Sequence, residues 1–276
     1  GIAHAEASFQ GALAYARERR SMRAVTGKKE PDANADALIW HADVRRMLLT
    51  QIAIAEGGRA MIYAAAQTAD LMVDAGRRQD RATQDKHDDT LGFYTPILKG
   101  FLTEMGLEAA NLGMQVFGGH GYIHEHGMEQ IARDARIATL YEGTTGIQAL
   151  DLLGRKVLLG TRGKCVRDFS RIMLRSAKTH WLAHGSIGRM ARSTAKRAIE
   201  WNLLTLRIMR RVGKDRDLVG SASVDYLMYS GYVMMAHFWA RQAAVAQAFL
   251  RNGKGAESAE FYRAKIQTAE FYFDRL

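Results

Sequence analysis

The chain predicts an all-α fold. Three observations carry that expectation. Only two prolines, Pro31 and Pro96, interrupt 276 residues. Ala, Leu, Met, Arg and Glu, the residues that cost least inside a helix, supply much of the composition. Apolar residues recur every three or four positions over long stretches, the spacing of one buried helix face. A hydrophobic share of 47% is enough to bury a sizeable core, and the length allows one or two domains.

Taken in order, residues 2–24 read as a first helix, with Ile2, Ala5, Phe9, Leu13 and Ala16 at helical spacing. Thr26 to Asp32, rich in Gly, Pro and charge, is a loop. Asp36 is placed to cap a second helix running to about residue 76. Gly57-Gly58 within it costs helix stability on the order of 1 kcal/mol per glycine, and close helix packing would explain the pair. Arg77 to Asp89 reads as a polar connection, and a third helix follows over about 89–117, with Pro96 near its first turns or at a kink. Short helices are expected over about 127–138 and 144–160. Helices near 165–183, 187–213, 219–250 and 256–275 complete an up-and-down bundle, broken at Gly185, Gly213 and residues 252–255.

The net charge is +10. Its arginines and lysines are spread over many helices and interleaved with acids. That pattern reads as solvated surface rather than a nucleic-acid stripe. One cysteine, Cys165, excludes an intramolecular disulfide and fits a reducing compartment, a bacterial cytoplasm or a mitochondrial matrix. It reads as a small apolar filler. There is no apolar run of about 18 residues, so no membrane span is expected. The cluster His120, His124, Glu125 and His126 lacks the spacing of a His-Glu-x-x-His metal site, and no metal is expected there.

Two glycine-punctuated segments stand out against these helices. One is Gln115-Val116-Phe117-Gly118-Gly119-His120-Gly121-Tyr122; the other is Tyr141-Glu142-Gly143-Thr144-Thr145-Gly146-Ile147-Gln148. Irregular backbone between rigid helices is where binding and catalysis concentrate. Glu142 is the candidate catalytic base. A carboxylate held in an apolar, water-poor pocket has its pKa raised and becomes a better base. The plainer reading makes Glu142 a helix N-cap or first-turn acid favoured by the macrodipole. Gly143 frees the backbone to approach a ligand. Thr144 offers a hydroxyl and an N–H at a helix start, which suits an anion. Gly118-Gly119 alone reads equally as a helix-terminating turn.

Together these segments resemble the C-terminal domain of acyl-CoA dehydrogenases. That family carries Q-x-x-G-G-x-G-(F/Y), then a helix with R-D-A-(R/K), then Y-E-G-T. Here the pieces are Gln115 to Tyr122, Arg133-Asp134-Ala135-Arg136 and Tyr141 to Thr144. Ala14-Tyr15-Ala16-Arg17-Glu18-Arg19 is similar to the family's Y-A-x-x-R segment. The resemblance covers about residues 1–160. The helices beyond it, with Val44 to Leu48 and Thr144 to Gln148, look like a larger subgroup that has an extra helical domain and acts on substrates such as methylthiopropanoyl-CoA. The resemblance therefore implies a helical bundle over 1–162 and an additional helical domain over 163–276. The family's preceding helical and β-rich domains are absent from this chain, which begins Gly1-Ile2-Ala3-His4 and reads as a C-terminal fragment.

The resemblance implies FAD as cofactor, an acyl-CoA substrate, a trans-2-enoyl-CoA product, an electron-transferring flavoprotein as oxidant, and a homodimer or dimer of dimers. It assigns Glu142 the removal of the α-proton, the β-hydrogen passing as hydride to the flavin. Tyr141 and Gly143 would meet substrate. Gln115, Gly118, Gly119, Thr144 and Arg19 would meet FAD, the first three contributing to a neighbour's flavin. The chain departs from the family where Gly146 replaces a glutamine and Met22-Arg23 replaces Phe-Gly. The competing expectation is a non-catalytic helical interaction or oligomerisation module.

Overall fold

The computed structural model describes residues 1–253 and 255–276. Among them the regular structure is helical, and the only strand-like pairing is one isolated bridge between Arg20 and Ala37. The helices are α1 (Ile2–Glu18), α2 (Ala42–Arg77), α3 (Arg81–Phe117), α4 (Met128–Ala138), α5 (Thr145–Leu150), α6 (Lys164–Thr179), α7 (Gly185–Val212), α8 (Asp217–Asn252) and α9 (Ala259–Arg275). α5 runs on without a break into a π-helical stretch, Asp151–Gly160. The expected break at 252–255 includes Lys254, which lies outside the described residues.

Two compact units emerge: residues 1–56 with 102–141, and residues 57–101 with 142–276. α2 and α3 each contribute to both.

In the first unit α1 presents a face of small residues. Ala5, Ser8, Ala12 and Ala16 are buried, and α1 packs against α4. Small side chains allow this close approach, and Gly113 of α3 gives α1 room on another side: a Cβ there would overlap Ser8 Oγ. The Ser8 hydroxyl lies 3.0 Å from both Gln51 Oε1 and the Ala109 carbonyl, so this buried polar group is satisfied. Ala12, Ala16, Met47, Leu48 and Val116 form the core beside it.

Two sequence expectations change here. α1 ends at Glu18, not near residue 24, and Arg19 is its extended C-cap with ψ 127°. Asp36 does not cap α2, which starts at Ala42. It is fully buried and gathers the loop after α1 around its carboxylate. That carboxylate accepts from the N–H groups of Ala24 (2.8 Å), Lys29 (2.9 Å) and Glu30 (2.9 Å) and from the Arg23 guanidinium (3.1 Å). These donors, led by the Ala24 N–H, hold its pKa well below the usual carboxylate range.

In the second unit α6, α7, α8 and α9 pack successively, and α5 lies against α8. Trp201, Trp239, Phe101, Leu152, Leu153 and Leu227 fill the core. Gly57 explains part of the glycine pair on α2. A Cβ there would stand 2.5 Å from Trp239 Nε1 and 2.8 Å from Met235 Cγ, so only glycine admits the α8 side chains. The expected polar connection from Arg77 shrinks to three residues, because α3 begins at Arg81. Asp80 caps it, accepting from Thr83 N at 3.1 Å. Pro96 lies well inside α3.

Candidate active site

α4 ends in a turn in which Leu140 and Tyr141 donate to the Ile137 carbonyl at 3.0 and 3.2 Å. The next two residues both have left-handed backbone: Glu142 at φ 54° and Gly143 at φ 88°. Glycine adopts this conformation freely; a glutamate is held in it at a cost of order 1–3 kcal/mol, and such residues cluster at functional sites. Thr144 then starts α5. Its Oγ1 accepts from Ile147 N at 3.4 Å, so the N-cap is Thr144 and not Glu142. The capping alternative for Glu142 is thereby removed.

Two side chains tie the backbone of this turn. Lys99 Nζ, from α3, donates to the Gly143 carbonyl at 2.6 Å. Gln148 Nε2, from α5, donates to the Glu142 carbonyl at 3.1 Å. The Glu142 side chain remains exposed. The residues leading into it, Ile137, Leu140 and Tyr141, are exposed apolar side chains, and so are Ile147 and Leu150 after it. Apolar side chains are thus exposed on both sides of the turn in sequence.

The glycine-rich loop belongs to the first unit. Gln115 is exposed on the last turn of α3, followed by a 3-10 turn over Gly118–Gly121. Gly118 has φ 60°. A Cβ added at Gly118 or Gly119 would meet nothing within 4 Å, so the backbone there is open to direct approach. Gly121 serves packing instead, since a Cβ would collide with the Met114 carbonyl. Tyr15 of α1 stacks on Phe117 with ring centroids 4.0 Å apart, and its hydroxyl lies 2.7 Å from His120 Nδ1. His126 packs on His120 and Phe117 at 5.3 and 5.7 Å. This aromatic and imidazole cluster anchors the loop to α1. Arg19, exposed, follows one turn after Tyr15, whose carbonyl accepts the Arg19 N–H at 2.8 Å.

Gln115, Gly118, Gly119, Arg19 and Tyr141 thus fall in the first unit, and Glu142, Gly143 and Thr144 share one turn in the second. Sequence reasoning missed Lys99, whose partner lies 44 residues away, and Tyr15 with His120, 105 apart. Gln148 sits in the quoted segment, but no local pattern marked its bond to Glu142. Cys165 is half-buried beside Thr161, whose hydroxyl lies 3.0 Å from the sulfur, and burial pushes the thiol pKa up. Among the described residues no helix is long and apolar enough to cross a membrane.

Comparison with known proteins agrees with this fold. Residues 1–158 match the family described as acyl-CoA dehydrogenase, C-terminal domain, and residues 168–276 match one described as acetyl-CoA dehydrogenase C-terminal like. The chain belongs to the acyl-CoA dehydrogenase family. It is 38% identical to the 3-methylmercaptopropionyl-CoA dehydrogenase of Ruegeria pomeroyi, over 99% of this chain and 44% of that protein. It is 30% identical to the broad-specificity linear acyl-CoA dehydrogenase FadE5 of Mycobacterium tuberculosis, over 98% of this chain and 45% of that one. The chain therefore spans less than half the length of these curated relatives. Among solved structures, Caenorhabditis elegans ACDH-11 in complex with C11-CoA superposes with TM-score 0.73 at 17% identity, over 98% of this chain and 41% of that one. An acyl-CoA dehydrogenase from Bacillus anthracis, complexed with FAD, gives 0.70 at 15%, over 99% and 44%.

Proposed function

We propose that the polypeptide carrying this chain is an FAD-dependent dehydrogenase that converts an acyl-CoA thioester to its trans-2-enoyl-CoA. Family membership and the names of the two relatives support the reaction class. The observation that carries the residue assignment is Glu142: a free-standing carboxylate on a left-handed turn, exposed between two apolar stretches.

Glu142 takes the proton from the carbon next to the thioester carbonyl, and its carboxylate becomes a carboxylic acid. The acyl chain, meeting Ile147 and Leu150 after the turn, excludes water when it binds, which makes the carboxylate a stronger base. Gly143 and Tyr141 border the thioester. FAD, when bound, supplies the acceptor for the β-hydrogen and its electron pair. Gln115, with the open backbone of Gly118 and Gly119, would meet the nucleotide half of a neighbouring subunit's FAD; Arg19 would meet FAD pyrophosphate, and Thr144, at the start of α5, would meet FAD through its own hydroxyl and N–H. Fit at the loop is supported by the free space over both glycines. An electron-transferring flavoprotein would reoxidise the flavin, in a homodimer or a dimer of dimers. Residues 1–162 would form the catalytic bundle and 163–276 an additional helical domain. We propose that residues 1–276 alone carry little or no dehydrogenase activity.

The test compares the full-length polypeptide with Glu142→Gln. The variant is expected to keep its flavin absorption while desaturation falls by about a hundredfold or more, the contribution typical of a general base. Wild-type turnover in the variant overturns Glu142 as the base. Flavin-dependent desaturation by residues 1–276, assayed with medium and long acyl-CoAs and an artificial electron acceptor, overturns the proposed inactivity of the chain.

A further inference from the structure

We propose that Lys99 and Gln148 are positioning residues for Glu142, an inference that rests on the reading of Glu142 as the base. Glu142 and Gly143 are consecutive left-handed residues, a conformation that a glutamate does not hold by preference. Their two carbonyls are each held by a side-chain donor. Lys99 reaches the Gly143 carbonyl from α3, 44 residues upstream, and Gln148 reaches the Glu142 carbonyl from α5, six residues downstream.

The two bonds fix the successive peptide planes 142–143 and 143–144. The first flanks the Glu142 Cα and the second holds the first in place, so together they orient the frame from which the Glu142 Cα–Cβ bond leaves the turn. Neither donor need approach the reacting atoms to act this way. The two also differ in strength. The ammonium–carbonyl bond is charge-assisted and at 2.6 Å is the shorter. Lys99 is half-buried, so water competes with it less than at the surface. Gln148 is anchored on the same short helix that Thr144 caps, so it ties the turn to the start of α5. Gly143 is sterically matched to the arrangement. A Cβ there would lie 2.9 Å from Gln148 Nε2 and would push the amide away.

Lys99→Met keeps most of the side-chain length and removes the donor; Gln148→Met does the same on the other side. Hydrogen–deuterium exchange over residues 140–150 of the present chain tests the clamp without flavin or substrate. We expect Lys99→Met to speed exchange of the amides between Glu142 and Gln148 by about tenfold or more, with thermal stability nearly unchanged. In the flavin-loaded full-length polypeptide, Lys99→Met should lower kcat by about ten- to a hundredfold while KM moves less than about threefold. Displacement of a reacting group by a fraction of an ångström has effects of that size. Lys99→Arg should recover most of the loss.

Wild-type exchange in both Met variants overturns the clamp. Faster exchange with unchanged kcat in both overturns positioning. Should Lys99→Met fail to fold, Gln148→Met carries both measurements alone. If Glu142→Gln retains turnover, the base assignment fails by itself, and the exchange data still decide the clamp.

Discussion

Acidification from pH 7 to pH 5 should destabilise the second unit through His237. This residue sits on α8, 1% exposed, with its ring edge-on to Phe169 at 5.6 Å and Phe238 at 5.3 Å. Its Nδ1 has no hydrogen-bond partner among the described residues. Burial, reinforced by the positive charge of Arg241 one turn on, lowers its pKa from 6.5 to about 4. The folded form therefore refuses a proton that the unfolded chain accepts. Between pH 6.5 and about 4 the unfolded state binds more protons, so stability falls as pH falls and levels off below the folded value. The lowering corresponds to about 3 kcal/mol in full, of which about 2 kcal/mol is lost between pH 7 and 5. Urea unfolding followed by circular dichroism at pH 7, 6 and 5 reads this directly. His237→Leu removes the titrating group and the unpartnered nitrogen together. Its stability should change with pH by about 2 kcal/mol less than the wild type over the same range. Parallel pH profiles for the two proteins would refute the reasoning.

Two further outcomes follow from packing and charge. Gly231→Ala drives a Cβ into the edge of the ring of the fully buried Phe101, overlapping Cγ and both Cδ atoms. It should cost about 1–3 kcal/mol, seen as a lowered Tm, and an unchanged Tm would show that α8 can move aside at no cost. Asp36→Asn removes the charge that organises the loop after α1, so tryptic cleavage at Lys28 and Lys29 should accelerate while the helices stay intact. In the wild type the Asp36 contribution is complete above about pH 4 and is lost as pH falls toward the depressed folded value. Equal cleavage rates for the two proteins would remove Asp36 as the organiser.

The helices were legible because their apolar faces repeat along the chain. α4, α6, α7, α8 and α9 fall within a few residues of their expected spans. Expectation and structure diverge where that repeat stops being informative. In α1 the apolar period named from Ile2 ends at Ala16, and the helix ends two residues later. The polar face of Arg81–Asp89 hid a helix start that Asp80, a capping residue, could have marked. Asp36 looked like a cap because an acid ahead of an apolar run usually is one; what it gathers instead lies six to thirteen residues back. The turn at Glu142 was readable as a segment of unusual composition. Its two side-chain ties were not, because the Lys99 bond links elements far apart in sequence. Local pattern carries helix identity, and long-range polar bonds carry the shape of the turns between helices.

The π-helical stretch after α5 has a consequence for how the rest of the chain meets its neighbours. Thr161 N–H reaches back five residues to the Lys156 carbonyl at 3.1 Å, one residue more than an α-turn takes. Leu152, Leu153 and Val157 all become fully buried on this widened spiral. The stretch therefore works as a phase shifter, advancing the buried face by one residue without a loop. A chain shortened by one residue between Asp151 and Gly160 could close ordinary α-turns there. Losing a residue and narrowing the turns act in opposite senses on the angle, so the chain beyond would nearly keep its present orientation about the axis. The stretch thus absorbs one residue more than an α-helix of the same arc would hold, while Leu152, Leu153 and Val157 all stay on the buried side.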